Sequence, residues 1–306
     1  MTRYPREFQV ESEAAGTKVE TFVRRCLDAD PVHVRKLLRQ KRVRFACLGQ
    51  EGEPQVMARG QVLEEPGLLS VLAAPQALDR TPAPNRKIRL RVIHEDPALL
   101  VIDKPAGLAM HPGPRHGTDT LLNGLVARNP ECGQLGRERN FGLAHRLDLD
   151  TSGLLVVART AAAHEALVAQ FKQRSVEKRY LALASVGPSG ISGGVQETPV
   201  REKEARTEIE VVDRAGAVAL LSLIPKTGRT HQIRIHLAER HNPVLGDRRY
   251  GTGLDALTAK LYLKRLALHA AALSFSHPEE GTVLKFELPL PRDLRHSWKR
   301  ARSLPR

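Results

Sequence analysis

The chain lacks the features that mark several common protein classes. No stretch of its 306 residues approaches the roughly 18 consecutive apolar residues of a transmembrane helix, and the start, "MTRYPREFQVESEAAG", has no apolar signal-peptide core. The protein is therefore expected to stay in the cytoplasm, away from the membrane. Cysteine is scarce: Cys26, Cys47 and Cys132 are far apart and form no CxxC pair, so ordinary reduced thiols are expected rather than disulfides or a cysteine zinc site. The 12 histidines include no HExxH, and His231 with His236, spaced by five, makes a poor zinc motif. The glycines of "GPSGISGG", 187 to 194, lack the Gly-Lys-Ser/Thr ending of a phosphate loop, which leaves an irregular surface loop. Ser152-Gly153 is not a GxSxG elbow, so hydrolase chemistry has little support. Internal repeats, coiled-coil heptads and long low-complexity tracts are also missing, so function must sit in local motifs.

What is present in excess is positive charge. Lys and Arg number 48 against 34 Asp and Glu, a formal charge of +14 that exceeds what solubility needs and points to a polyanionic partner. Nucleic acid leads that reading, and a membrane surface trails it. The length suits a full-sized catalytic core with one small appended module. Residues 17 to 50 hold nine Lys or Arg against three Asp or Glu, with Val34, Leu37 and Leu38 at helical spacing, which predicts a short basic helix followed by small strands. The proline-bearing stretch "APQALDRTPAPNRK", 74 to 87, reads as a linker. The expected organisation is an N-terminal extension (1–16), a small module (17–73), the linker (74–87), a catalytic domain (88–295) and a basic C-terminal tail (296–306).

Beyond the linker, two β-rich runs around Glu95-Asp96-Pro97 predict a hairpin whose second strand ends at Lys104-Pro105. "TDTLLNGLVARN" (118–129) and "TAAAHEALVAQFKQR" (160–174) read as capped helices, and "YLALASV", "TEIEVVD" and "VALLSLI" as strands. Strands and helices mix without regular βαβ alternation. That predicts an α+β fold with a mixed, largely antiparallel central sheet flanked by helices.

The densest chemistry lies in "HRLDLDTSG", 145 to 153, immediately ahead of the apolar run "LLVVA". If extended, this stretch would project Asp148 and Asp150 to one side about 7 Å apart, a spacing suited to paired-carboxylate glycoside hydrolysis. The alternative is a single nucleophilic or basic aspartate beside an arginine, taken from Arg146 or from the later "KTGRTHQIRIH". One of the aspartates could equally be a plain turn residue beside Thr151 and Ser152.

"HRLDLDTSGLLVVART" resembles the catalytic motif of RluA-type pseudouridine synthases, in which the aspartate of "HRLD" is the essential residue. Four more blocks stand in that family's order: "EDPALLVIDKPAGLAMHPG" (95–113), "KRYLALASV" (178–186), "PKTGRTHQIRIHLAERHNPVLGDRRYG" (225–251) and "RLALHAAAL" (265–273). Together they span roughly residues 88 to 290, about two-thirds of the chain. The resemblance implies the pseudouridine synthase fold and an RNA uridine isomerase, which breaks the bond from the uracil ring nitrogen to ribose, turns the base and rejoins it through carbon 5. Such a reaction is redox-neutral and implies neither metal nor cofactor.

Carried onto this chain, the resemblance makes Asp148 the catalytic residue. Its carboxylate could attack the anomeric carbon, attack the uracil ring, or remove the 2′ hydrogen of the ribose. All three need it ionised, as an ordinary aspartate is at neutral pH. Its arginine partner would be Arg234, placed by the family in the first turn of a helix although Ile233, Ile235 and Leu237 alternate as in a strand. Tyr180 would stack on the flipped uracil, Leu268 would pack against it, and Arg146 would fill the gap that the base leaves in the RNA. Outside the motif these four would be read as a surface cation, a core-edge tyrosine, a core leucine and a phosphate contact. His145 would orient the loop, and Asp150, Thr151 and Ser152 would cap and brace the turn.

The 17–73 module resembles a small RNA-binding domain shared with a ribosomal small-subunit protein, with Arg35, Lys36, Arg39, Lys41 and Arg42 as its expected phosphate contacts. It departs from that domain's pattern at His33-Val34 and at "FACLG". The expected partner is RNA, ribosomal ahead of transfer RNA, for a monomeric enzyme. A ribosome assembly factor that keeps the fold but little catalysis is the alternative, and a glycosidase using Asp148 and Asp150 a remote third.

Overall fold

The computed structural model describes residues 4–29, 31–49, 52–73, 81–113 and 116–304. The chain divides into two units, Met1–Arg80 and Thr81–Arg306. In the first, β1 (Arg6–Val10), β2 (Thr17–Lys18), α1 (Val19–Leu27), α2 (Pro31–Arg39), β3 (Val43–Cys47), β4 (Gln55–Val56), β5 (Val62–Leu63) and β6 (Gly67–Val71) follow in order. A four-stranded sheet runs β1-β6-β3-β4, and β2 pairs with β5. Val34, Leu37 and Leu38 are buried as their spacing predicts, against Val19, Phe22 and Val23 of a second helix, α1, and the strand residues Val43, Phe45, Leu69 and Val71.

The expected boundaries shift at three places. Residues 6–10, placed in an N-terminal extension, pair antiparallel with β6, and Val10 enters the core, so they belong to the module. Of the expected linker, residues 74–80 lie outside the described residues. Residues from 81 onward belong to the second unit, where the Asn123 side chain donates to the Ala83 carbonyl and the Asn85 amide donates to the Asn123 carbonyl. The expected basic tail is helical to Ser303, because Leu294, Trp298 and Ala301 recur at helical spacing and pack into the core.

The second unit contains β7 (Arg91–Glu95), β8 (Leu99–Lys104), α3 (Leu121–Arg128), α4 (Pro130–Gln134), β9 (Ser152–Ala158), α5 (Ala161–Gln173), β10 (Glu177–Ser185), β11 (Gly194–Gln196), β12 (Thr207–Ala215), β13 (Val218–Pro225), α6 (Gln232–Glu239), α7 (Ala256–Lys260), β14 (Leu268–Ser276), β15 (Val283–Glu287) and α8 (Arg292–Ser303). Its sheet has nine strands among the described residues, ordered β11-β12-β13-β10-β14-β9-β8-β7 with β15 also on β14. Every pairing is antiparallel except β14 with β9, which gives the mixed, largely antiparallel sheet expected of the sequence. The predicted hairpin is β7–β8, turned by Asp96, whose carboxylate accepts from the amides of Ala98 and Leu99. Thr120 and Thr160 cap α3 and α5 as read.

Register decides where chemistry can gather. Gly153 at the head of β9 sits beside Ala270 of β14, and Ala270 pairs with Tyr180 of β10, which in turn faces Leu223 near the end of β13. The start of β9, Tyr180, the start of β14 at Leu268 and the end of β13 therefore meet at one end of the sheet. All seven residues of β9 are buried, so the turn ahead of it is anchored in the core. That approach needs glycine at 153, where φ is +116° and a Cβ would lie 2.2 Å from the Ala270 carbonyl oxygen. Gly153→Ala is expected to destabilise the protein by about 3 kcal/mol or more through combined backbone strain and overpacking. Urea unfolding measures this, and an unchanged midpoint would contradict the close packing of β9 on β14.

Candidate active site

The turn from His145 to Thr151 leaves the regular strand path, so Asp148 and Asp150 do not form the extended pair considered from the sequence. The Thr151 amide closes on the Asp148 carbonyl at 3.2 Å. Asp148 sits in a cavity of about 540 Å³ that is also lined by His145, Arg146, Tyr180, Arg234 and Leu268. The six residues that the sequence nominated for catalysis and base binding thus lie around one space. The basic residues Arg35, Lys36, Arg39, Lys41 and Arg42 belong to the other unit, where Arg35, Arg39, Lys41 and Arg42 are exposed on and just after α2.

Arg234 is the third residue of α6, as the family pattern places it. His231, in the left-handed region at φ +61°, is the N-cap of this helix. The buried side chain of Gln232 fixes this entry. Its amide nitrogen donates to the Arg206 carbonyl and to Thr207, while its oxygen accepts from Thr227 and the Arg229 amide.

Arg234 donates from Nη1 to Asp148 Oδ2 at 3.1 Å, and from Nε and Nη2 to the two oxygens of Asp247 at 2.7 and 2.8 Å. Asp247 Oδ1 also accepts from the amides of Arg249 and Tyr250. Exposure falls along this chain, from 18% at the Asp148 side chain through 11% at Arg234 to 1% at Asp247. One end is open to a substrate and the other is a sealed anchor. Burial alone would raise the Asp247 carboxyl, but the Arg234 guanidinium and the two amides hold it below the usual range. Burial likewise opposes the Arg234 charge, and the two carboxylates overcome it, Asp247 most strongly.

Tyr180 sits at a bulge in the pairing of β10 with β14, which re-aims the side chain beside the site. Burial, assisted by the negative charge of Asp148, pushes its phenol above the usual value, so it remains a proton donor. His145 accepts from the Val156 amide at 3.0 Å and stacks on Phe171 at 4.5 Å. Burial pushes it down to about 3, with Lys178 adding to the effect, so it is neutral at physiological pH and fastens the turn to β9. Ser152 bonds His269 at 2.9 Å on the other side.

Four neighbours were not singled out from the sequence. Asp247 and Tyr250 lie in the quoted block "HNPVLGDRRYG", but an acidic residue there carries no sign of the arginine it will meet. His231, bonded to the Tyr250 hydroxyl at 3.0 Å, stands 3.8 Å from Asp148. Lys104 is fully buried and donates to the carbonyls of Pro105, Leu108 and Leu149 at 2.8 to 3.0 Å. Leu149 is the residue after Asp148, so this lysine holds the turn from beneath. Among the described residues no group of three or more His, Cys, Asp or Glu is placed to hold a metal ion, and no helix is long and apolar enough to cross a membrane.

A mixed sheet that carries an aspartate–arginine pair in a cation-lined cleft, with a tyrosine at a bulge beside it, has the makings of an RNA base-modifying isomerase. Comparison with known proteins gives the family. The model of RNA pseudouridylate synthases matches residues 98–239. Ribosomal large subunit pseudouridine synthase D of Xanthomonas campestris is 40% identical over 237 residues, 70% of each chain. An RNA pseudouridine synthase of Mycobacterium bovis is 32% identical over 96% of this chain and 97% of its own. The solved human RNA pseudouridylate synthase domain containing 4 superposes with a TM-score of 0.57 at 28% identity, over 69% of this chain and 93% of that one. The chain belongs to the RNA pseudouridylate synthase family.

Burial pushes the Lys104 ammonium down to about 8 from its ordinary 10.5, although Asp150 and Asp148 favour its charge. Between those two values the unfolded chain holds the extra proton, so stability rises with pH across that window. The turn responds in the opposite sense, since a neutral amine has two protons for three carbonyls. Pseudouridine formation is therefore expected to fall with a midpoint near pH 8 while the melting temperature does not fall on this account. A pH–rate profile flat to pH 9 would exclude Lys104 as the clamp of the turn.

Proposed function

We propose that this pseudouridine synthase modifies uridines of large-subunit ribosomal RNA, with Asp148 as its catalytic residue. The observation that carries the reading is the Arg234 bridge, which aims one partly open carboxylate into a cavity it shares with Tyr180 and Leu268. The ribosomal target is supported by the printed name of the Xanthomonas relative.

In this reading a uridine leaves its stack, and exposed Arg146 takes its place in the RNA. The uracil enters between Tyr180 and Leu268, an aromatic face on one side and an aliphatic one on the other. Arg234 holds the Asp148 carboxylate to one direction, so that its free oxygen meets the sugar or the ring as the bond from ring nitrogen to ribose breaks. The base turns, carbon 5 bonds the anomeric carbon, and the proton on carbon 5 is lost. The protonated Tyr180 hydroxyl can donate to the sugar through this sequence. Lys172 and Lys178 also line the cavity and give the RNA phosphates a positive field.

Purified protein incubated with ribosomal and transfer RNA, followed by site mapping of pseudouridine, tests this. Large-subunit ribosomal RNA should acquire the modification, and Asp148→Asn should slow it at least about a hundredfold, the scale of losing a positioned catalytic group. Equal activity in the variant would remove Asp148 from the chemistry, and no pseudouridine in any RNA would leave an assembly factor. For the small module, replacing Arg35, Arg39, Lys41 and Arg42 together by alanine should weaken RNA binding. The slope of log affinity against log salt should fall by about 3, from roughly 0.7–0.9 per phosphate contact. An unchanged slope would show that this basic face does not lie on RNA.

A further inference from the structure

A second cationic cleft, of about 1080 Å³, lies in the catalytic unit between the segment after α7 and the last helix, and shares no lining residue with the active-site cavity. Its floor follows from the pattern of α8. Leu294, Trp298 and Ala301 face the core, which leaves Arg292, Arg295 and Lys299 as an exposed stripe at the same helical spacing. Lys264 faces them from the other wall. The one acidic lining residue, Asp293, is neutralised by Arg265, which grips both its oxygens at 2.6 and 3.1 Å. Several other surface arginines of this unit are matched with acids, as Arg128 is with Glu95, Arg159 with Glu131 and Arg174 with Glu204. Lys264, Arg292, Arg295 and Lys299 have no ion-pair partner among the described residues. Four uncompensated cations around a concave surface favour a polyanion.

An aromatic platform stands in the same cleft. Tyr262 is 60% exposed and occupies the left-handed region at φ +52°. It terminates α7 where glycine is usual: the Leu263 amide bonds the Thr258 carbonyl, and the Tyr262 amide bonds that of Ala259. A large side chain is thus kept at a position that costs backbone energy and returns little burial. The Arg300 guanidinium lies over the ring at 4.0 Å, and the His296 ring lies at 6.1 Å, tilted by 23°. These two residues stand one turn apart on α8 and support the ring from the helix side. The residue nonetheless keeps 60% of its surface exposed.

We propose that this cleft is a second RNA-binding site, in which an unpaired base stacks on Tyr262 while neighbouring phosphates lie against Lys264, Arg295 and Lys299. An exposed aromatic ring beside unpaired cations is what single-stranded nucleic acid uses, since every base has a face to stack and every linkage a charge to neutralise. An acidic peptide would use the cations and leave the ring idle. The site would hold RNA away from the reacting uridine and add affinity without touching the chemistry. The proposal rests on the RNA-modifying class of the chain, and on neither the choice of target RNA nor the role of Asp148.

The test measures binding of a fluorescent ten-nucleotide adenosine RNA, which contains no uridine to react, to the full chain. Tyr262→Asn keeps a residue that tolerates the left-handed backbone and should weaken binding about tenfold, whereas Tyr262→Phe should bind within twofold of the parent. The double variant Arg295→Ala, Lys299→Ala should lower the salt slope by about 1.4, at roughly 0.7 per charge. Affinity and slope unchanged in both Tyr262→Asn and the double variant would overturn the proposal. Displacement of the RNA by decaglutamate at equal concentration, with no effect of Tyr262→Asn, would also overturn it and assign the cleft to an acidic protein partner. Protein that binds through Tyr262 yet makes no pseudouridine would sink the catalytic reading and leave this one standing.

Discussion

The site depends on one arginine shared between two carboxylates. A guanidinium fixed by Asp148 alone would follow whichever way that partly open residue moved. Arg234 is instead fixed by Asp247, whose oxygens are themselves held by the Arg234 fork and the amides of Arg249 and Tyr250. Asp247 is nearly sealed from solvent, so removing the Arg234 charge would strand it at a cost of roughly 3–5 kcal/mol. Direction therefore passes outward, from the Asp247 loop through Arg234 to Asp148. One net negative charge remains in the three-residue chain, at the end that faces the cavity.

The backbone of the same turn is held by a second buried cation that works differently. Lys104 has no carboxylate on its ammonium. Three carbonyl dipoles satisfy its three protons, and one of them belongs to Leu149. The Gly107 amide donates to that same carbonyl at 2.9 Å. Arg234 thus aims the carboxylate while Lys104 seats the peptide that follows it, and His145 ties the near end of the turn to β9. The Asp148 turn is thus restrained in side chain and main chain together, the kind of support that precise placement of a functional group needs.

The parts of this arrangement that were legible in the sequence are those whose signal is local. Thr120 and Thr160 announce α3 and α5 because a cap and the apolar period that follows lie within one short window. The buried run of β9 was visible for the same reason, and the "HRLD" motif marked Asp148 before any fold was known. What was not legible depends on contacts between distant residues. Asp247 and Asp148 are about a hundred positions apart, and nothing in "GDRRYG" states that its aspartate will be buried on Arg234. Lys104 closes a strand of apolar residues, where a lysine ordinarily reaches water, and only the carbonyls folded around it explain its burial. α6 had an ambiguous period, since Ile233, Ile235 and Leu237 alternate. Its entry is fixed by Gln232 bonding back to Arg206 and Thr207, a tertiary contact that overrides the local pattern.

The charge balance takes on a different meaning once the fold is known. An excess of +14 spread evenly would attract RNA without regard to orientation. In the catalytic unit many surface arginines are instead neutralised by acids, and uncompensated cations stand in two clefts, one beside Asp148 and one along α8. Arginines paired in this way add little to the attractive field, and the unpaired cations of the two clefts strengthen it locally. The Asp148 carboxylate keeps one side open to the first of these clefts, and its arginine is anchored from behind by a buried aspartate. With that anchor, Arg234 orients Asp148 through one nitrogen while Asp247 compensates the rest of its charge.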